Sequence, residues 1–425
     1  MRLTHNLKRR LKALPRSAAF ARLSRRTTGV LTVFLLFGSC AWAQVTPGGT
    51  QSGAVTDSTS RAAARTPDAS REKSKFSSAE DGWFDMSGFL AERYGFLPVG
   101  FPITEPATGY GLALGLAFLD KPLGVAEAGY GRPNISVVGG LWTENDSWGA
   151  AVGDQRYWFD DRLQTTAGII YCSVNLDFYG IGDDAVLKDR PLRYNLEPKG
   201  GLVRGKSRVG GTRLWAGLGY AFWRTRVSFE APAETPRIPD FERDSDVGGV
   251  MPTLVFDSRD NIFTPTRGTY AEVTGALYDP MLGGDDEFQS VQVVALEFIP
   301  LPKRLYLGLR ADGTANFGDC PFYMMPYISL RGAPIMRYQG EQVAQVEAEL
   351  RWQFWRRFSV LGFAGYGWAW NDFESLDNTQ TVVTGGPGFR YEVAREYGIH
   401  AGVDFAFSPD DWAFYIQVGN AWPRP

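Results

Sequence analysis

The chain lacks any apolar run long enough to cross a bilayer as a helix. Its longest, Val30 to Phe37, falls well short of the roughly 20 residues such a helix needs. Chemistry-bearing side chains are also scarce, with two histidines and three cysteines in 425 residues. Once an N-terminal leader is set aside, His400 is the remaining histidine. One histidine, two separated cysteines and no close Asp-x-Asp loop match neither zinc nor calcium spacing. Alternation predicts that His400 points inward on the same face as Asp404. A Ser-His-Asp relay would need a serine beside them, so His400 reads as a hydrogen-bonding group rather than a base. No enzyme activity, cofactor or metal is expected.

The Val30 to Phe37 run follows Lys8, Arg9, Arg10, Lys12, Arg16, Arg22, Arg25 and Arg26 and precedes Ala41-Trp42-Ala43. A basic region, a short apolar core and a small-x-small site make a signal peptide over residues 1–43, with Gln44 as the new terminus. Phe37-Gly38-Ser39 is a poor approach to Cys40 for lipid attachment. Removing nine basic and no acidic side chains takes the formal charge from −3 to −12. An acidic chain argues against nucleic acid and against docking on anionic lipid. Cys172 and Cys320 then remain, both expected near the outer ends of the wall. That placement leaves a disulfide between them open without requiring one. Residues 44–82 hold few large apolar residues and are expected to be disordered in the periplasm. Over residues 83–95, Trp83, Met86, Leu90 and Tyr94 recur at helical spacing and predict a short amphipathic helix at the periplasmic mouth or plugging the lumen.

Beyond residue 95 the chain switches to a period of two. Tyr110, Leu112, Leu114, Leu116 and Phe118 share one face, while Gly111, Ala113, Gly115 and Ala117 share the other. Near the end, Tyr397, Ile399, Ala401, Val403, Phe405 and Phe407 are apolar against Gly398, His400, Gly402, Asp404 and Ala406. The last segment repeats this with Phe414, Ile416, Val418 and Trp422. Strand side chains alternate faces, so each segment has a lipid-ready side and a polar side. Fifteen strands are expected near 108–118, 134–144, 148–158, 164–174, 195–205, 212–225, 248–257, 268–278, 288–299, 304–315, 343–354, 358–370, 382–392, 397–407 and 413–422. A weaker one near 96–103 makes sixteen, an even number of the kind single-chain bacterial barrels prefer. The fold class is therefore all-β, a transmembrane antiparallel barrel over 96–422. A soluble propeller or sandwich would show blade repeats or Greek-key spacing, and neither is found. Polar loops at 228–247, 279–286 and 317–340 contrast with short turns such as Ser408 to Asp411, and Trp142, Trp148, Trp158, Trp355, Trp368, Trp370 and Trp412 suit headgroup level.

The most specific stretch is Asp257-Ser258-Arg259-Asp260-Asn261-Ile262-Phe263-Thr264-Pro265-Thr266-Arg267-Gly268. Asp and Asn bond their own backbone, Pro265 fixes a corner and Gly268 releases the chain into the next strand, which makes a tight connection. The stretch also resembles the D-x-R-D-N-x-x-x-P-x-R-G signature of the BamA/TamA-type outer-membrane barrels, the bacterial surface antigen family. Asp177-Phe178-Tyr179-Gly180-Ile181-Gly182 looks like that family's aromatic-glycine segment, and Leu330-Arg331-Gly332 like the tip of its large inward-folded loop. Glu349-Leu350-Arg351 matches its E-L-R strand, and Gly386-Pro387-Gly388-Phe389-Arg390-Tyr391 its glycine-rich late strand. The resemblance implies an outer-membrane barrel of the bacterial envelope with a role in assembly or translocation, its client unassigned.

Two departures accompany it. Residues 44–95 are too short and polar for the POTRA modules expected ahead of such barrels. Gly365 also stands where many relatives carry the aspartate of an F-x-D-x-G motif, which the family would use to hold the loop arginine. A substitute is expected on the strand Val343 to Gln353, where Gln345, Glu347, Glu349, Arg351 and Gln353 share the polar face. Arg331 should enter the lumen and pair with Glu347 or Glu349, because a guanidinium in a narrow pore needs carboxylates. The alternative function is a passive pore or surface-exposed structural barrel. Outer-membrane lipid is an expected partner. So is the barrel insertion machinery, reading the closing strand that ends at Trp422, a signal the trailing Pro423-Arg424-Pro425 would weaken.

Overall fold

The computed structural model describes residues 27–28, 76–78, 80–92, 95–105, 107–120, 134–179, 191–229, 241–371 and 379–422. The predicted leader, apart from 27–28, lies outside these residues, as do most of the segment expected to be disordered, Tyr94, Gly180 to Gly182 and Pro423 to Pro425. Sixteen strands form one antiparallel sheet. They are β1 Gly95–Glu105, β2 Gly109–Leu119, β3 Ile135–Thr143, β4 Trp148–Trp158, β5 Leu163–Phe178, β6 Leu192–Arg208, β7 Leu214–Phe229 and β8 Phe241–Asp257, followed by β9 Gly268–Tyr278, β10 Phe288–Leu301, β11 Leu305–Gly318, β12 Gln342–Trp355, β13 Phe358–Trp370, β14 Gln380–Ala394, β15 Ile399–Phe407 and β16 Trp412–Val418. Each pairs with its sequence neighbour, and the ladder runs without crossover from β16 back to β1. A helix, α1, spans Ser87–Glu92. Thr27–Thr28 make a two-residue parallel pair with Phe322–Tyr323.

The alternation read from sequence sets the two faces of the wall. Tyr110, Leu112, Leu114, Leu116 and Phe118 are exposed along β2, and Val346, Leu350 and Trp352 along β12. The intervening Gln345, Glu347 and Arg351 are buried. An exposed apolar band around a polar interior is the arrangement a bilayer demands of a closed sheet. Several strands outrun their predicted ends. Residues expected in the loop 228–247 extend β7 to Phe229 and start β8 at Phe241, with Arg226 and Asp244 paired across the ladder at 3.0 Å.

Other expectations are corrected. The closing strand stops at Val418, not Trp422. The Ser408 to Asp411 turn sits at the same end as the long loops, because Arg337 and Tyr338 of the loop after β11 both reach Asp410. Tyr397 and Ile399, expected on the lipid face, are covered in an apolar cluster with Phe263. The predicted helix over 83–95 shrinks to α1: Met86 donates its amide to Val393 O at 2.7 Å, so the chain before it runs along a barrel turn instead of coiling. Residues 76–78 and 80–82, expected to be disordered, make a turn, with Ser78 N bonding Trp83 O at 3.0 Å. Cys172 and Cys320 keep their thiols. Both are buried in one cluster, Cys172 on the wall and Cys320 at the base of the loop, and the disulfide left open by the sequence is not formed.

The sheet does not close on itself by a backbone ladder. Among the described residues, β1 and β16 are the two unpaired ends of the pairing order. They meet through the Thr104 hydroxyl, which donates to Phe414 O, and Tyr110 at the start of β2 adds a ring contact with Phe414 at 6.2 Å. With only seven residues, β16 is shorter than the eleven-residue β1, so much of the β1 edge has no strand to pair with.

Candidate functional site

The lumen is crossed by the loop between β11 and β12. Its first half packs against one wall, where Cys320, Tyr323, Met324 and Tyr327 join Cys172, Tyr194, Trp223 and Phe288 in a buried cluster. Its second half packs against another wall, where Ile328, Leu330 and Ala333 join Val343, Ala369 and Val382. Glycines on that wall make the approach possible. A Cβ at Gly367 would lie 2.4 Å from Ile328 Cγ2, and one at Gly365 would lie 3.0 Å from Leu330 Cδ2. Gly332 has φ near +92°, and a Cβ there would press on Ala406 at 3.1 Å, so the loop tip needs glycine twice over.

Between them Arg331 enters the wall. Its Nε donates to Glu347 Oε1 at 2.7 Å, and its Nη1 donates to Glu349 Oε2 and to Asp404 Oδ2, each at 2.8 Å. The guanidinium also lies over the Phe363 ring, 3.6 Å from its centroid. A buried guanidinium held by three carboxylates through Nε and Nη1 and by an aromatic face is fixed in both position and direction. Two further arginines share these carboxylates and their neighbours. Arg390 grips Asp404 with two bonds, at 2.6 and 2.8 Å. Arg310 binds Asp312 at 2.6 and 2.9 Å and reaches Ser329 O at 3.1 Å. Gln345 donates to Asp312 Oδ2 and accepts the Ser329 amide.

Sequence reasoning named Glu347 and Glu349 and missed Asp404. The missed signal lies in the pairing of late strands: Asp404 faces Gly388 of the glycine-rich stretch, and only a glycine leaves its carboxylate room. Leu330 occupies the space beside Gly365, so an aspartate there would collide with the loop it is meant to hold. Arg351, the third candidate partner, stays out of the lock. It stacks over Tyr306 at 4.6 Å and meets His400 Nε2 at 3.2 Å.

Trp422 is the second surprise. Past Val418 the chain turns at Gly419, with φ near +86°, and Asn420 bonds Phe263 O through its amide at 2.5 Å. Asn420 Oδ1 then accepts the Trp422 amide at 2.6 Å. The indole ends up buried in the lumen, its Nε1 donating to Glu347 Oε2 at 2.6 Å. One carboxylate therefore joins the loop tip to the tail of the last strand.

The Asp257 to Gly268 turn supplies the floor for that tail. Arg259 folds back onto Asp257 with bonds of 2.9 and 2.8 Å and lies over Tyr270 at 4.5 Å. Asp260 accepts the amides of Thr266 and Arg267, and Asn261 accepts those of Phe263 and Thr264 while donating to Tyr397 O at 2.8 Å. Pro265 lines a small cavity with Arg351, Arg390 and Trp422. Gly268, at φ near +109°, opens β9. The loop also spans the seam at its own end: Gly332 N bonds the Tyr415 hydroxyl on β16 at 3.0 Å, and Ile335 N bonds Glu105 of β1 at 3.3 Å.

Residues 242–403 match the Omp85 superfamily domain. Among solved structures, BamA from Haemophilus ducreyi lacking POTRA domains 1–3 is similar with a TM-score of 0.52 and 14% identity, over 77% of this chain and 71% of that one. CdiB from Escherichia coli is similar with a TM-score of 0.52 and 13% identity, over 76% of this chain and 61% of that one. At such identities the likeness is one of fold. No curated protein matches the chain.

Proposed function

We propose that the chain, whose residues 242–403 match the Omp85 superfamily domain and whose barrel is similar in fold to that of BamA, is an outer-membrane β-barrel that works in outer-membrane assembly or translocation, its client unassigned. The observation that carries this reading is the pairing of a loop-filled lumen with an unladdered seam. A passive pore needs a clear lumen and a closed wall. Here the loop lies across the lumen, locked through Arg331, Glu347, Glu349 and Asp404, while β1 and β16 are left without a ladder between them. Breaking a few side-chain contacts would expose two strand edges, and an exposed edge is a template for another strand.

Outer-membrane lipid on the apolar wall and the barrel insertion machinery during biogenesis complete the set of partners, with residues 1–43 as the export leader. No catalytic step is assigned, since His400 is occupied by Arg351 and by Gly398 O. The test reconstitutes the protein in lipid vesicles and follows membrane insertion of an unfolded barrel protein and passage of an unfolded secreted chain. Acceleration of either over empty vesicles supports the reading. Acceleration of neither, together with a large steady ion conductance, replaces it with a passive pore.

A further inference from the structure

We infer that residues 76–92 form a detachable clasp that ties the first strand to the last hairpins and so holds the seam shut at the end opposite the long loops. Among the described residues, backbone pairing does not close the seam, and the inward loop spans it at the loop end. At the other end one apolar cluster gathers Leu119 of β2 and Ile135 of β3 from the first-strand side. The same cluster takes in Ala394, Tyr397 and Ile399 from the last-strand side, with Met86, Leu90 and Val418 packed against it. The helix carrying Leu90 has six residues, below the roughly 12–15 at which an isolated helix becomes even marginal. Its structure therefore depends on docking.

The attachment is built differently on its two sides. On one, α1 runs within three residues into β1 and is covalently part of the first strand. On the other it is held by charge. Arg357, in the turn between β12 and β13, has a wholly buried side chain and bonds Asp81 at 2.9 and 3.1 Å, with Asp85 Oδ2 at 2.9 Å. Its Nη1 also donates to Phe84 O at 3.2 Å and to Glu392 O at 3.3 Å. Trp83 sits edge-on to Trp355 and Phe358, at 5.3 and 5.6 Å. The turn after β14 adds an Arg395 pair with Glu80 at 2.9 Å and the Glu396 amide on Ser87 Oγ at 3.1 Å. Breaking the ionic side frees β1 to move with its tether, whereas the barrel's own ladders stay intact. The clasp rests on the geometry of the seam and holds whichever client the barrel serves.

The experiment measures amide hydrogen exchange of the full chain in lipid, comparing the native protein with the D81N/D85N variant. Exchange in Gly95–Glu105 and Trp412–Val418 should rise by about tenfold or more while Gly268–Tyr278 is unchanged. Unchanged exchange at both edges would overturn the clasp. If the variant loses protection everywhere it has failed to fold, and a second preparation decides. There the native sequence carries a protease site after Glu92, is folded, cut and washed at high salt to remove the freed segment. Faster exchange confined to β1 and β16 supports the clasp, and an unaltered or uniform response overturns it. No client is needed, so this result stands apart from the insertion and passage assay.

Discussion

Replacing Arg331 with alanine tests the lumen lock at its most costly point. The three carboxylates lose unequally. Asp404 keeps both bonds from Arg390, and Glu347 keeps the Trp422 indole, but Glu349 loses the guanidinium that neutralises it. Removing one member of a buried charge pair costs about 3–5 kcal/mol, because the partner stays desolvated. That corresponds to about two to four powers of ten in the docking equilibrium of the loop tip. The wall should survive, since its ladders do not pass through Arg331. The readout is amide exchange at Ile328, Ser329 and Gly332, whose protons are held by Tyr338 O, Gln345 Oε1 and the Tyr415 hydroxyl. These three should lose protection by at least about a hundredfold while β9 and β10 keep theirs. Arg331→Lys should recover only part of it, because one ammonium cannot reproduce the fork that spans Glu347, Glu349 and Asp404. A folded Arg331→Ala protein with native protection at all three amides would refute the lock.

Trp422→Phe keeps a ring in the lumen and removes the donor to Glu347. A hydrogen bond to a charged group contributes about 1.5–3 kcal/mol, so exchange at the loop tip should increase by a smaller factor than in Arg331→Ala, and no change would disconnect the tail from the lock. The side-chain bond from Arg357 holds Asp81 down to a pKa of about 2, outside the membrane-spanning strands. A depressed carboxylate stabilises docking fully above its unfolded value of about 3.9 and loses that contribution as pH falls through about 2. Acid titration of Trp83 fluorescence in the full chain should thus report release of residues 76–92 only below about pH 4. Release near neutral pH would contradict the assignment. Cys172 and Cys320 are both buried thiols, so a membrane-impermeant maleimide should label neither in the native protein and both after denaturation. A mass unchanged by labelling of the denatured, unreduced chain would instead indicate a disulfide.

The wall was legible in the sequence because alternation is local: each strand from β2 to β15 carries its own lipid face, and residues such as Leu114 and Val346 declare it without reference to neighbours. The loop tip was legible in part. Leu330-Arg331-Gly332 pointed inward and the polar face of β12 offered Glu347 and Glu349, but Asp404 lies three strands further round and becomes a partner only once the register beside Gly388 is set. Trp422 misled because its spacing continues the apolar face of β16, whereas Gly419 and Asn420 break the strand and swing the indole inward. The clasp was hidden for a related reason. Asp81 and Asp85 look like solvated charge until Arg357, over 270 residues later, is brought beneath them.

The central claim is that the barrel is held closed by its inward loop. Single-channel conductance in planar bilayers tests it most directly, comparing the intact protein with one in which residues 319–341 are replaced by a short glycine-serine linker. A quiet intact protein and a large steady conductance in the loop-deleted one is the predicted result. A large steady conductance in the intact protein would contradict the account and leave a passive pore in its place.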